Sequence, residues 1–229
     1  MTAVADHRMG SLDDPRVAAV LDRLHRAARQ PLGTARHVAA LLGDRLRRRQ
    51  PTVLEEVERL KHLYAPVTRK QGRLLYLLAR SLRAQRVVEF GTAFGISTTY
   101  LAAALRDNGG GVVLGSDLEP GKIAAARRNL ADAGLAAHVE IRQGDARETL
   151  ADPGGPVDLL VLDAHLSLYL PLLRQLTPHL RPGAGVAAIN VTTFRRALAP
   201  YRAWVNDPAN GFGSVTLLIG DGIEYSVRL

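Results

Sequence analysis

The residues with the clearest potential for chemistry follow a short apolar stretch at residues 87–90. Glu89 lies in that stretch, and a loop with two glycines, Gly91 and Gly95, leads from it to Ser97. A strand, a tight loop and a helix in this order bring the backbone close to a ligand and point the helix N-terminus at it. A dinucleotide would place its phosphates there, but the Glu89 carboxylate repels phosphate and attracts an ammonium group. The loop therefore favours a cationic nucleoside, and S-adenosylmethionine fits through its sulfonium and amino groups.

Polar residues also follow the other four predicted parallel strands. Because the carboxyl ends of parallel strands meet at one edge of a sheet, these residues should surround one cleft. Asp117, after the second strand, could accept both ribose hydroxyls, and Asp145, after the third, could accept the adenine amino group. Asp163 follows the fourth strand and Asn190 follows the fifth. Any one acid could simply end a strand or cap a helix, but polar groups after five successive strands indicate a shared site.

Strands and helices alternate along the chain from Arg86 onward. Strands are predicted over residues 87–90, 112–116, 139–142, 157–162 and 185–190, and helices over residues 96–106, 120–133, 146–151 and 167–177. This alternation predicts a parallel sheet with right-handed crossovers. Residues 215–219 and 223–227, joined by a Gly-Asp-Gly turn, predict an antiparallel β-hairpin. The fold class is therefore α/β and Rossmann-like, with a mostly parallel seven-stranded sheet that ends in a hairpin.

The first 86 residues predict helices without intervening strands. A first helix begins at Pro15, after acids that can cap it. Further helices are predicted over residues 35–49, 53–64 and from about 66 through 82. We therefore divide the chain into an N-terminal helical arm or lid at residues 1–65 and an α/β domain at residues 66–229.

Composition limits the classes of protein that the chain can represent. Of its 229 residues, 47% are hydrophobic, which suffices for one α/β domain with a substantial core. Cysteine is absent, which removes disulfides and thiol nucleophiles. No apolar run reaches the roughly 18 residues of a membrane helix, and the N-terminus has no signal-peptide core. These features predict a cytoplasmic protein that does not enter the membrane.

The net charge of +8 is unevenly distributed. Residues 1–86 hold 18 Lys and Arg against 8 Asp and Glu, a balance of +10, whereas residues 87–229 hold 12 against 14, a balance of −2. A basic arm could bind RNA or another polyanion. However, the basic residues share their helices with apolar faces, and no aromatic residues interleave with them as in single-strand binders. Nucleic acid is therefore not the expected partner.

Residues from about 66 to 229 resemble the catechol-type O-methyltransferases, a family of small S-adenosylmethionine-dependent enzymes of the class I methyltransferase fold that are often dimeric in bacteria. The matching segments are Gln71–Leu75, Val88–Thr92 with Gly95–Ser97, Asp117–Pro120, Asn129–Leu135, Gly144–Ala146, Val157–Asp163 and Leu180–Gly183. The resemblance implies methyl transfer in secondary metabolism and a homodimer.

The resemblance also implies a role for each matching position. Glu89 and the glycine loop would hold the methionine part of the cofactor, Asp117 its ribose, and Asp163 would lie beside the methyl group. The implied cofactor-binding residues are Glu89, Gly91, Thr92, Gly95, Ser97, Asp117, Leu118, Gly144, Asp145, Ala146 and Asp163. Val67 and Lys70 lie where this family closes the cofactor cleft. Independently of the resemblance, Tyr169 could line an aromatic pocket, and Arg195 or Arg196, after the fifth strand, could pair with an acidic substrate. The predicted substrate-binding residues are therefore Val67, Lys70, Tyr169 and Arg195.

Two positions depart from the family pattern. Catechol-type enzymes bind a divalent metal through an Asp after the fourth strand and an Asp-Asn pair after the fifth, but Ile189 replaces the first member of that pair. Leu166 stands where the family has a general-base lysine. Magnesium prefers octahedral oxygen ligation, mostly by carboxylates and waters, so Asp163 and Asn190 alone are a poor cage. We expect no metal requirement; a metal held by these two residues and substrate oxygens is the alternative.

His165 is the best candidate for a replacement base. It lies two residues after Asp163, and a neutral imidazole can accept a hydroxyl proton near pH 7. A loop histidine that bonds only to the backbone is the alternative. Alignment of the acceptor with the methyl group can itself supply much of the acceleration. The predicted catalytic residues are His165, Asp163 and Asn190.

Together these expectations predict an O-methyltransferase that acts on a hydroxyl group of a small phenol or other secondary metabolite. An N- or carboxyl-methyltransferase on the same fold stays open, because loss of the metal pair removes the preference for catechols. An RNA methyltransferase that uses the basic arm and a non-catalytic cofactor-binding protein are further alternatives.

Overall fold

The computed structural model describes residues 10–28 and 67–229. The helices predicted over residues 35–49 and 53–64 lie outside these ranges. Within the ranges, no helix is both long and apolar enough to cross a membrane.

The described residues contain one seven-stranded sheet. Its strands are β1 (Arg86–Phe90), β2 (Val112–Asp117), β3 (Val139–Gln143), β4 (Val157–Leu162), β5 (Leu180–Ile189), β6 (Phe212–Leu217) and β7 (Ile223–Arg228). Their order across the sheet is β3-β2-β1-β4-β5-β7-β6. Strands β1 to β5 pair in parallel, while β7 runs antiparallel to β5 and β6. The predicted fold class is confirmed.

The hairpin differs in detail from its prediction. Its first strand was expected over residues 215–219 but is β6, so residues 218–222 form the turn. Gly213 and Ser214 weaken the strand signal in the sequence. They nevertheless pair with Val227 and Ser226, and the Ser214 hydroxyl donates to Glu224 at 2.7 Å. Cross-strand contacts therefore set this boundary more strongly than local propensity.

Helices connect the strands and cover both faces of the sheet. They are α1 (Pro15–Ala27), α2 (Arg69–Ser81), α3 (Ile96–Asp107), α4 (Pro120–Asp132), α5 (Ala146–Thr149), α6 (Tyr169–Leu176) and α7 (Ala199–Val205). Helices α5 and α6 are shorter than expected. Short 3-10 turns at Leu166–Leu168 and Thr177–His179 take up the two ends of the segment predicted for α6. Helix α7 was not predicted; Pro200 lies in its first turn, and the helix buries Tyr201 and Val205.

Alternate residues of the central strands build two cores. Val87 and Leu159 face a core made with α1, α2, α3 and α4, whereas Val88 and Leu160 face a core made with α5, α6 and α7. All four side chains are fully buried. Burial of each such side chain contributes roughly 1.5–3 kcal/mol, which fixes the register of the strands and aligns their carboxyl ends.

Helix α1 packs into the first of these cores. Val17 and Leu24 are buried there, and the Arg16 guanidinium donates to the carbonyl oxygens of Ala131 and Asp132 at the end of α4. Residues 10–28 thus share a core with the α/β domain. The division into an arm at residues 1–65 and a domain at residues 66–229 stays a prediction.

Candidate active site

The loop after β1 has glycines where a side chain would clash or strain the backbone. Gly91 has a φ of +104°, and a Cβ there would lie 2.5 Å from the Asp163 carbonyl oxygen. Gly95, with a φ of +82°, is the N-cap of α3 and provides no capping side chain. The amides of Gly91 and Thr92 donate to the Ser116 carbonyl oxygen at 3.1 and 3.3 Å. The loop is therefore held between β1 and β2, with the N-terminus of α3 at the carboxyl edge of the sheet.

Glu89 is fully buried at the base of this loop. One carboxylate oxygen accepts the Thr98 hydroxyl at 2.5 Å, whereas the other, and the nearby Thr92 hydroxyl, have no hydrogen-bond partner among the described residues. Burial raises the pKa of Glu89 to about 7, and the hydroxyls of Thr98 and Ser97 oppose this shift. Ser97 is itself buried in the first turn of α3. A buried carboxylate with an unused acceptor fits a cationic donor such as an ammonium group.

Asp117 ends β2 and holds two loops through its carboxylate. One oxygen accepts the Glu119 amide at 3.0 Å and the other accepts the Ala93 amide at 2.8 Å. Ala93 has a φ of +45°, an uncommon value for a residue with a side chain, so this bond helps to maintain the shape of the glycine loop. Each carboxylate oxygen keeps a second lone pair for a ribose hydroxyl. Leu118 follows and is partly buried.

The loop after β3 is held by both its backbone and Asp145. Gly144 has a φ of +141°, and its amide donates to the Asp117 carbonyl oxygen at 3.0 Å. The Asp145 carboxylate accepts the Arg147 amide at 2.9 Å and pairs with the Arg147 guanidinium at 2.5 Å. These bonds, the guanidinium first, lower the pKa of Asp145. Ala146 is buried at the start of α5. Asp145 therefore presents an ionised carboxylate that is already bound by Arg147.

Asp163 and Asn190 meet at the ends of β4 and β5. The Asn190 side-chain amide donates to an Asp163 carboxylate oxygen at 3.1 Å. The Asp163 amide donates to the Phe90 carbonyl oxygen at 2.9 Å, which continues the pairing of β4 with β1. Burial, reinforced by the charge of Glu89, raises the pKa of Asp163. The structure thus brings these two predicted catalytic residues together.

His165 lies in the loop between β4 and α6, at the same edge of the sheet. Its Nδ1 is 2.8 Å from the Ser167 hydroxyl oxygen, and its side chain is partly exposed. Leu166 begins a 3-10 turn that ends at Leu168. The role of His165 as the base stays a prediction.

The four predicted substrate-binding residues occupy different environments. Lys70 and Arg195 are exposed, whereas Val67 is buried just before α2. Tyr169 is fully buried, and its hydroxyl donates to the Ile189 carbonyl oxygen at 3.3 Å. Tyr169 therefore supports the end of β5 from within the core, and its contact with substrate stays a prediction.

Comparison with known proteins identifies the family. A methyltransferase-domain model matches residues 88–188. A catechol O-methyltransferase from Niastella koreensis is 35% identical over 129 residues, which are 55% of this chain and 58% of that relative. The matched stretch thus spans less than two thirds of that relative. A putative O-methyltransferase from Mycobacteroides abscessus is 30% identical over 181 residues, which are 71% of this chain and 81% of the relative.

The chain belongs to the S-adenosylmethionine-dependent class I O-methyltransferases. The resemblance drawn from the sequence is thereby confirmed. A solved relative, the O-methyltransferase TomG from Streptomyces achromogenes in complex with SAM, has a TM-score of 0.62 and 27% identity. That comparison covers 71% of this chain and 81% of TomG.

The residues at the predicted metal position are Asp163, Ile189 and Asn190. Ile189 is buried and faces the core, and the Asn190 amide group is turned towards Asp163 as a donor. Across residues 10–28 and 67–229, no group of three or more His, Cys, Asp or Glu side chains is arranged to hold a metal ion.

Two cations next to the predicted cofactor-binding residues were not predicted from the sequence. The Lys122 ammonium lies 5.6 Å from the centre of the Phe94 ring, beside the glycine loop, and burial lowers its pKa while Asp117 raises it. Arg147 pairs with Asp145 from two residues along the chain. The spacing of Asp145 and Arg147 at the start of a short helix could have indicated that pair. The position of Lys122 depends on how α4 packs against the loop.

Proposed function

We propose that this protein transfers the methyl group of S-adenosylmethionine to a hydroxyl group of a small acceptor. The observation that carries the proposal is Glu89, fully buried beside the glycine loop with one oxygen unpartnered among the described residues. An acid in that state fits an ammonium group, and Asp117 lies on the neighbouring strand to bind ribose hydroxyls. The SAM complex of TomG supports the donor, and the names of the two relatives support a hydroxyl acceptor.

The chain's own residues prepare the donor for reaction. Glu89 binds the ammonium group, and the N-terminus of α3, which has no side-chain cap, offers amides to a carboxylate. Asp117 holds the ribose while keeping the glycine loop in shape, and Asp145 and Ala146 border the adenine. When bound, S-adenosylmethionine supplies an electrophilic methyl group on its sulfonium.

The acceptor side aligns a hydroxyl oxygen with that methyl group. Asp163 and Asn190, joined at 3.1 Å, orient the hydroxyl from the ends of β4 and β5. His165 accepts the hydroxyl proton as the oxygen–carbon bond forms and the sulfur–carbon bond breaks. The contact between Nδ1 and the Ser167 hydroxyl, at 2.8 Å, restricts the imidazole ring. Alignment rather than strong acid–base chemistry supplies most of the acceleration.

The acceptor is proposed to be a small phenol or other secondary metabolite rather than RNA. Lys70 and Arg195 are exposed cations that suit an acidic substituent on such a molecule. A homodimer is proposed from the family resemblance.

Methyl transfer is proposed to proceed without a divalent metal. Ile189 stands where the family has a carboxylate ligand, and the Asn190 side-chain amide donates a hydrogen bond to Asp163. The remaining oxygens make a poor octahedral cage.

Calorimetric titration with S-adenosylhomocysteine in the presence of a chelator tests the donor site. Micromolar binding is expected. Turnover is then measured with S-adenosylmethionine and a panel of phenols that includes catechol, 3,4-dihydroxybenzoate and 4-hydroxybenzoate, with aniline and benzoate as probes of nitrogen and carboxylate acceptors.

The panel separates the open alternatives. Methylation of a phenol supports the proposal, whereas methylation of only aniline or only benzoate would move the assignment to an N- or carboxyl-methyltransferase. Tight S-adenosylhomocysteine binding without turnover on any probe would favour a non-catalytic cofactor-binding protein.

A further inference from the structure

The turn between β6 and β7, residues 218–222, binds the segment that follows β5. The Thr192 amide donates to the Asp221 carbonyl oxygen at 3.0 Å, and the Val191 amide donates to the Gly222 carbonyl oxygen at 3.3 Å. The Thr193 hydroxyl donates to the Asp221 carboxylate at 3.0 Å. We name these three bonds the hairpin clasp. The two segments that the clasp joins, residues 191–193 and 221–222, are far apart in sequence, but both lie at the carboxyl edge of the sheet.

Close packing fixes this turn from two sides. Gly222 has a φ of +82°, and a Cβ there would lie 2.5 Å from the Thr192 methyl carbon. Gly220 has a φ of +59°, and a Cβ there would lie 2.5 Å from the Gln71 side-chain oxygen in the first turn of α2. Gln71 is itself buried and held by the Thr68 amide at 2.8 Å. The turn therefore has little freedom to move away from Thr192.

The clasp begins one residue after Asn190, whose backbone lies in the left-handed region. Its φ is +68°, a conformation that asparagine adopts more readily than other residues with a side chain but that is still sparsely populated. Its carbonyl oxygen accepts the Phe194 amide at 3.0 Å. A residue in a sparsely populated region is held there by the surrounding structure, and the clasp supplies that constraint on the side of Asn190 that faces solvent.

We propose that the hairpin clasp positions Asn190 for catalysis, with Asp221 and Gly222 as positioning residues that act through the Asn190–Asp163 pair. This inference rests on the proposed function, because Asn190 and Asp163 orient the acceptor only in a methyl-transfer site. The clasp holds the Asn190 backbone so that its side-chain amide meets Asp163, and loosening it leaves the acceptor hydroxyl misaligned with the methyl group.

The clasp is not needed to hold the hairpin itself. Five residue pairs join β5 to β7 and six join β6 to β7. The Asp221 and Thr193 side chains are exposed, so their hydrogen bond adds little to the stability of the fold. Their effect on turnover should therefore exceed their effect on unfolding.

The first test compares Asp221→Ala, Asp221→Asn and Thr193→Val. Activity is measured with the phenol of the panel that gives the highest turnover. Asp221→Ala and Thr193→Val should each lower kcat about five- to tenfold, and the double variant should be no worse than either. Asp221→Asn keeps an acceptor oxygen and should restore most of kcat. KM for S-adenosylmethionine and the affinity for S-adenosylhomocysteine should stay within twofold, because none of the three clasp bonds involves Glu89 or Asp117.

A second variant breaks the clasp at its backbone. Gly222→Ala forces a side chain onto Thr192 and should lower kcat at least 50-fold while S-adenosylhomocysteine still binds. The turn at Asp152 and Gly154 provides matched controls, since Asp152 accepts the Gly154 amide at 2.8 Å and Gly154 has a φ of +73°. It precedes β4 at the opposite edge of the sheet, so Asp152→Ala and Gly154→Ala should leave kcat unchanged.

Hydrogen exchange gives a readout that needs no acceptor. In Asp221→Ala the amides of Val191, Thr192 and Phe194 should exchange at least fivefold faster, with the glycine loop unchanged. If no phenol is methylated, the proposed function fails, but faster exchange still supports the clasp as the constraint on Asn190. Unchanged exchange, additive loss in the double variant, or equal loss of kcat in Asp221→Asn and Asp221→Ala would each overturn the proposal.

Discussion

The two halves of the carboxyl edge are built in different ways. On the cofactor side, Glu89 and Asp117 lie on neighbouring strands, and Asp117 holds the loop that follows Glu89 through the Ala93 amide at 2.8 Å. On the acceptor side, Asn190 depends on a turn about 30 residues further along the chain. The cofactor side is thus a compact motif of strand ends and glycines, whereas the acceptor side is assembled by long-range packing. Damage should therefore reduce donor affinity on one side and turnover on the other.

Asp117→Ala should give the largest effect and should be confined to donor affinity. The change removes the acceptor of two ribose hydroxyls and releases the Ala93 and Glu119 amides. Two charge-assisted bonds of about 2 kcal/mol each predict an affinity for S-adenosylhomocysteine about 1,000-fold weaker by calorimetry. Asp207→Ala is the matched control, since Asp207 also accepts a backbone amide, that of Ala209, but lies just before β6 at the other edge of the sheet. Equal affinity in the two variants would contradict the ribose assignment.

His165→Ala should reverse that pattern by lowering turnover alone. Loss of a general base predicts a kcat about 100-fold lower, measured with the best phenol of the panel, and an unchanged affinity for S-adenosylhomocysteine. His179→Ala, in the 3-10 turn just before β5, is the control and should retain full activity. A His165→Ala enzyme with normal kcat would leave alignment as the sole source of acceleration and remove His165 from the site.

Glu89→Gln should lower the affinity for the donor and raise the stability of the folded protein. Affinity for S-adenosylhomocysteine should fall about 30-fold as the charge that faces the ammonium is lost. The pKa of Glu89 is about 7 in the folded protein against a usual value of 4.5, so the folded state binds more protons between these values. The unfolding free energy therefore falls as pH rises through this window, by roughly 3 kcal/mol in total.

Urea unfolding at pH 5 and pH 8 measures this contribution. The unfolding free energy of Glu89→Gln should exceed that of the wild type, and this excess should be larger at pH 8 than at pH 5. The exposed Glu148→Gln control should show no such change between the two pH values. A parallel response in both variants would mean that Glu89 is ionised at little cost in the folded protein.

Removal of divalent metal should have the smallest effect on turnover, and it tests the acceptor side of the site. With Ile189 in place of a carboxylate, turnover in a chelator should stay within twofold of turnover in magnesium. Ile189→Asp, which restores a second carboxylate at the end of β5, is the matched variant and should make turnover depend on magnesium. A large loss of wild-type activity in the chelator would return Asp163 and Asn190 to the role of metal ligands.

The same contrast explains what the sequence could predict. The strand, glycine loop and helix around Glu89 are local, so residue types and spacing predicted them. The alternation of strands and helices likewise predicted that β1 to β5 are parallel, although not their order in the sheet. Helix α7 was missed because its seven residues carry too short an apolar pattern. The hairpin boundary was misplaced because Gly213 and Ser214 are poor strand formers. The bond between Asp221 and Thr193 depends on the register of β5 against β7, which no local pattern encodes.

Because Glu89 is buried, binding of the donor should exchange a proton on this residue for the donor's ammonium group. Near neutral pH the empty site holds a proton on a substantial fraction of molecules, since the pKa of Glu89 is about 7. The arriving ammonium group takes the place of that proton, which leaves to the buffer, and a proton returns when the demethylated product departs. Each catalytic cycle therefore carries a transient proton release at the donor site, separate from the proton that the acceptor hydroxyl loses for good.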